Sequence, residues 1–166
     1  MKKVFLLITF VSLMIFVLAI SPVNGEESSL VELPPAIEFL NNSFYGDTTG
    51  YEDFIDPEWT WVGNGELQFE GYDGYLNAIG FWSAVFPDVE VEVLHAIGEG
   101  DRWAVSYRIT GTNTVDFEPM GVVATGNYME MYMNSFFYLE DDKLKDCYNV
   151  WDWITWFDAL GMPYGP

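Results

Sequence analysis

Three side chains in this sequence are candidates for a chemical centre: Asp152 as the base, with His95 and Asn113 as helpers. Asp152 has the clearest setting. Tyr148 and Val150 lie at i−4 and i−2 from it, so strand alternation predicts all three on one face. Past Asp152 the pattern changes to Trp153, Trp156, Phe157 and Leu160, one apolar helical face. Gly161 stops that helix and Pro163 follows. A carboxylate held between an apolar strand and an aromatic helix is placed as a general base would be. The same position also suits a helix N-cap, which lowers the carboxyl pKa and works against a base unless burial offsets it. His95 is the only histidine. On an otherwise valine face it is either a pocket acid/base or a satisfied core or rim residue. Asn113 is either a pocket polar group or a turn residue at a strand end.

The elements that must position these groups follow from periodicity. Pro34-Pro35 opens a first helix, whose buried side is Ile37, Leu40 and Phe44 and which ends at Gly46. Glu58 to Val62 alternates as a strand with Trp59 and Trp61 on one face, then meets the turn Gly63-Asn64-Gly65. Tyr72, Tyr75, Leu76, Ile79, Trp82 and Phe86 mark a second helix, closed by Pro87. Four strands are expected after it. Val89, Val91, Val93, His95 and Ile97 form one face of the first. Trp103, Val105, Tyr107, Ile109, Gly111 and Asn113 form one face of the second. Met129, Met131, Met133, Ser135 and Phe137 do so in the third, and Asp141-Asp142 turns into the last. Helices first and a long antiparallel meander after them predict an α+β fold, with helices packed across the concave face of a curved, mostly antiparallel sheet. Such a fold encloses a conical cavity. Its expected wall is Trp103, Tyr107, Asn113, Met131, Met133, Tyr148 and His95. Trp59 and Trp61 are further candidates for ligand contact, against the plainer reading that these aromatics are core.

Composition bounds the partners. The chain has 166 residues, enough for one domain with a real core, and half of it is apolar. Lys2 and Lys3 precede an apolar run from Val4 to Ile20, broken by Ser21-Pro22, with small residues before Glu26. Residues 1–25 therefore read as a signal peptide, 26–32 as a polar leader, 33–162 as one domain and 163–166 as a tail. The domain is expected to be secreted or otherwise extracytoplasmic, touching membrane only if the first segment stays uncleaved. Beyond residue 25 there are four basic residues, Arg102, Arg108, Lys143 and Lys145, against 26 acidic ones, a net charge of −22. Nucleic acid and anionic membranes are poor partners for such a surface. One histidine and one cysteine do not make a typical zinc site or a histidine-dependent triad. No DxDxDG-type loop appears for calcium. Cys147 reads as a small residue on the outer sheet face.

Several short motifs resemble one family. Phe86-Pro87-Asp88 resembles the FPD of the SnoaL-like polyketide cyclases (ester cyclases), in the nuclear transport factor 2-like superfamily. Gly100-Asp101 and Gly111-Thr112-Asn113-Thr114 resemble its GD…GTHTG, and Ala124-Thr125-Gly126-Asn127 its PTGK. Asp142-Lys143-Leu144-Lys145-Asp146 resembles its DGKIxE, and Tyr148…Asp152 with Ala159-Leu160-Gly161 its closing W…D…QLG. The resemblance implies a conical α+β barrel, homodimers, no cofactor, and a small hydrophobic polyketide-, steroid- or terpenoid-like ligand. It implies for Asp152 the acid/base role in an intramolecular aldol ring closure; the wider expectation is cofactor-free cyclisation, isomerisation or dehydration with Asp152 as base. The family's histidine is Asn113 here, which can donate to an oxyanion but cannot shuttle a proton. A binding or interaction domain without turnover is the alternative on the same fold.

Overall fold

The computed structural model describes residues 31–163. The expected signal peptide lies outside the described residues, as does most of the leader. The elements run α1 (Pro35–Ser43), β1 (Ile55–Gly63), β2 (Glu66–Glu70), α2 (Gly71–Val85), β3 (Glu90–Glu99), β4 (Arg102–Thr112), β5 (Tyr128–Glu140), β6 (Lys143–Trp151) and α3 (Trp153–Leu160). The six strands form one sheet in the order β2-β1-β6-β5-β4-β3. All neighbours are antiparallel except β1 and β6, which run parallel. This is the α+β, mostly antiparallel arrangement that the periodicities predict. β2 was not apparent in the sequence, because it is short, sits on the sheet edge and has no buried residue.

Local chemistry sets the corners. Asn64 and Gly65 join β1 to β2 with φ of 48° and 93°. Two consecutive positive φ values are what the right-handed twist of a tight hairpin requires, and Asn-Gly is the cheapest pair to supply them. Pro35 begins α1, whose buried Ala36, Ile37 and Leu40 continue into Phe44. α2 buries Tyr75, Ala78, Ile79, Trp82 and Val85 and packs on β1 and β2. α3 ends on Gly161 at φ 65°, with the Gly161 and Met162 N–H groups donating back to Asp158 and Phe157 carbonyls. That left-handed cap is open to glycine and strained for other residues.

Two strands bury a different face from the one simple alternation predicts. In β3 the pairing slips between Val93 and His95, so Leu94 is an inserted residue. Val93 faces inward opposite Tyr107, whereas His95 pairs with Ser106 and Ile97 is 75% exposed. In β6 the pairing slips at Lys145, which is inserted between Leu144 and Asp146. Leu144, Cys147 and Asn149 are buried, while Tyr148 and Val150 are about half exposed. Because strand side chains alternate with period two, one extra residue sends every later side chain to the other face. The expectations that Tyr148 and His95 face the cavity, and that Cys147 faces out, are corrected on this ground.

The core corrects a third expectation. Trp59, Tyr107, Met131 and Met133 do turn inward, as alternation predicts, but they fill the core instead of lining an open cavity. The space among Leu40, Phe44, Trp61, Tyr107, Met133 and Phe137 is about 10 Å³, barely enough for one water. Burial pushes the Tyr107 phenol well above its ordinary value, so it stays protonated.

Candidate ligand-binding site

The open space lies between α2, α3 and the β1–β2 end of the sheet. A cavity of about 450 Å³ is bounded by Trp61 of β1, Gln68 and Phe69 of β2, Asn77, Phe81 and Trp82 of α2, Phe117, Trp151 at the end of β6, Trp153, Trp156 and Phe157 of α3, and Met162. Ligand sites generally run to about 300–1,000 Å³ and are mostly apolar. Five indoles and four phenyl rings form this wall. Their centroids stand 6.5 Å apart for Trp61–Trp151, 5.3 Å for Trp151–Trp153 and 5.9 Å for Trp153–Trp156. Phe81 closes the circuit at 5.9 Å from Trp156 and 5.5 Å from Phe117. Most of these pairs meet edge to face or tilted, as ring quadrupoles prefer.

The helical spacing of Trp153, Trp156 and Phe157 places them on the pocket side of α3. Gly63 makes room for the wall: a methyl there would strike the tip of the Trp151 ring and come within 2.8 Å of the Gln68 amide carbon. The lining side chains include no Asp, Glu, His, Lys, Arg or Cys; the polar ones are Gln68 and Asn77. The indole N–H groups of Trp151 and Trp156 are buried without an acceptor. Buried donors are rarely left so.

Of the sequence candidates, Trp61 alone lines this cavity. Asp152 is exposed and caps α3. Its Oδ1 accepts the Ile154 and Thr155 N–H groups at 3.0 and 3.3 Å, and its Oδ2 accepts the Thr155 hydroxyl at 2.7 Å. The Thr155 hydroxyl and backbone hold its carboxyl below the ordinary value of 3.8, which makes it a weaker base. His95 lies in a shallow groove on the outer sheet face with Ser106 and Asn134. Trp103 donates its indole N–H to the Gly100 carbonyl at the β3–β4 turn. Tyr148 is on the outer face, and Trp59, Met131 and Met133 are core.

Asn113 is fully buried and belongs to a structural clasp. Its Nδ2 donates to the Val85 carbonyl at 3.2 Å, and its Oδ1 accepts the Thr125 N–H at 2.8 Å. Thr125 in turn donates its hydroxyl to the Ala159 carbonyl at 2.6 Å, and Asn127 its amide to the Asp158 carbonyl at 2.9 Å. Asp88 accepts the Thr112 N–H at 2.6 Å. Burial pushes the Asp88 carboxyl up, but hydrogen bonds from Thr112 outweigh it and leave it below the ordinary value. Gly111 is where Phe86 packs; an added Cβ would stand 3.0 Å from the Phe86 Cβ. The motifs at 86–88, 111–114, 124–127 and 159–161 thus meet in one cluster that ties α2, β4 and α3 together.

Every lining residue but Trp61 was missed as a site residue: Trp82, Trp153, Trp156 and Phe157 were read only as helix faces, Gln68 and Phe69 are hidden in an unrecognised edge strand, and Asn77, Phe81, Phe117, Trp151 and Met162 lie off the apolar stripes that periodicity marks. The high aromatic content, 18% of the chain, was the signal that could have pointed to them.

Comparison with known proteins agrees with the fold. IdmH from Streptomyces antibioticus, provisionally assigned as a polyketide cyclase, superposes with a TM-score of 0.62 at 25% identity, covering 76% of this chain and 96% of that one. AclR from Streptomyces galilaeus, provisionally assigned as a hydroxylase, gives 0.62 at 21% identity, covering 78% and 85%. A SnoaL-like protein from Jannaschia gives 0.61 at 23%, covering 77% and 90%. The latter two likenesses speak to fold alone. A search of curated protein sequences finds no relative. The architecture is nuclear transport factor 2-like, and a profile described as the SnoaL-like domain matches residues 37–147. The chain belongs to the SnoaL-like domain family.

Proposed function

We propose that this domain binds a small, ring-bearing apolar molecule in the aromatic pocket and holds it without turnover. The observation that carries this reading is the cavity of about 450 Å³ with a wall of nine aromatic rings and no titratable side chain. Flat polyketide-, steroid- or terpenoid-sized molecules match such walls by stacking and by burying apolar area. The engagement of both Asp152 oxygens in capping α3 supports binding over cofactor-free cyclisation or isomerisation. Asn113 and His95, the candidate helpers of Asp152, do not line the cavity. The reading includes secretion, expected from residues 1–25. It also includes self-association through the outer sheet face, where Tyr132, Phe136, Tyr148 and Val150 are each about half exposed.

Native mass spectrometry of the domain before and after solvent extraction tests the proposal, followed by calorimetric titration with a panel of flat polycyclic ketones. A co-purifying molecule, or micromolar binding lost on Trp156→Ala, is the expected result. An empty protein that binds none of the panel refutes it. Conversion of a bound ketone that stops with Asp152→Asn would replace it with the enzymatic alternative.

A further inference from the structure

The charge around the pocket deepens the ligand class, and this step rests on the binding reading above. The lining aromatics are flanked in the chain by exposed acids. Glu70 follows Phe69, Asp116 and Glu118 bracket Phe117, Asp152 stands between Trp151 and Trp153, and Asp158 follows Phe157. No basic side chain lines the pocket, and the four basic residues among those described are engaged elsewhere. Arg108 pairs with Glu92 at 2.6 Å, and Lys145 with Glu58 and Asp56 at 2.7 and 3.0 Å. Lys143 donates to the Glu52 carbonyl at 2.6 Å, and Arg102 lies over the Tyr138 ring.

An indole face is the strongest aromatic partner for a cation, because its quadrupole presents negative charge above the ring. Five indoles around one cavity, in a chain whose residues 26–166 carry a net charge of −22, combine a cation-attracting wall with a field that draws cations in. A carboxylate in the wall would hold a primary ammonium by hydrogen bonds; its absence favours a cation that has none to give. We infer that the pocket takes an apolar quaternary ammonium cation, its charge held against the indole rings of the wall.

The test compares benzoylcholine with its neutral carbon isostere, 3,3-dimethylbutyl benzoate, by isothermal titration calorimetry on the folded domain. The two have nearly the same shape and differ in charge. The expected result is that the cation binds about tenfold tighter or more, and that Trp153→Leu removes most of this preference while the isostere still binds. Equal affinity for both refutes the cation inference and leaves the apolar pocket standing. Binding of the flat ketones but not of benzoylcholine does the same. Binding of none of these molecules refutes both readings. Cation binding that survives both Trp153→Leu and Trp156→Leu, but vanishes in high salt, assigns it to the acidic surface and also refutes the inference.

Discussion

Replacing Asp152 separates a helix cap from a catalytic base. Asp152→Ala removes the acceptor for the Ile154 and Thr155 N–H groups and for the Thr155 hydroxyl. All three bonds lie at an exposed helix end, so water takes them over. The cost is therefore that of a lost N-cap, about 1 kcal/mol within a range of roughly 0.5–2, and not that of a buried orphan. For a domain of this size that is a fall of about 3–5 °C in Tm. Asp152→Asn keeps a good N-cap and should cost only a few tenths of a kcal/mol. The wild-type carboxyl is held below its ordinary value by the Thr155 hydroxyl and then by backbone N–H groups. Its charged form therefore stabilises the fold above the unfolded carboxyl value of 3.8. That advantage fades as pH falls through the lower folded value. Urea unfolding followed by far-ultraviolet circular dichroism at pH 7 and pH 3 reads both effects: the gap between wild type and Asp152→Ala narrows in acid. Affinity for the pocket ligand should stay within twofold in both variants. Equal destabilisation by Asn and Ala, or a tenfold loss of affinity in Asp152→Asn, would refute the capping account.

Further expectations follow from the clasp, the pocket wall and the thiol. Asn113→Ala leaves the Thr125 N–H and the Val85 carbonyl without their buried partner and should cost about 2–3 kcal/mol in urea unfolding; a loss under 0.5 kcal/mol would contradict the clasp. Gly63→Ala drives a methyl against the Trp151 ring, costing about 1–3 kcal/mol and lowering ligand affinity together with stability. Cys147 is fully buried, and burial pushes its thiol well above the ordinary value. It should resist iodoacetamide at pH 8 in the folded protein and react at once in urea.

The fold was legible because its signals are long. The apolar stripe of α2, the inward residues of β4 and β5, and the glycine stop after α3 each repeat over several residues, so one irregularity does not hide them. The site was less legible because two single inserted residues decide it. Leu94 and Lys145 leave no mark in composition, yet they reverse His95, Cys147 and Tyr148. In β6 the apolar Tyr148 and Val150 face out while Asn149 faces in, so hydropathy pointed to the wrong side. The family motifs identified the architecture correctly. Side chains of the motifs at 86–88, 111–114, 124–127 and 159–161 serve the joints between α2, β4 and α3 here, and the pocket is built from aromatics that are not themselves motif residues.

The tryptophans of the pocket wall also have a spectroscopic consequence. Trp61, Trp151, Trp153 and Trp156 form an unbroken relay with steps of 6.5, 5.3 and 5.9 Å. Trp59, 5.8 Å from Trp61, joins them; indoles this close share their excitation, so five of the seven tryptophans in the chain behave as one coupled chromophore. Light absorbed by any of them is emitted from the ring of lowest energy. Moving a single ring by an ångström changes the band shape of the whole set. The wall therefore reports its own geometry in emission and near-ultraviolet dichroism, without any added label.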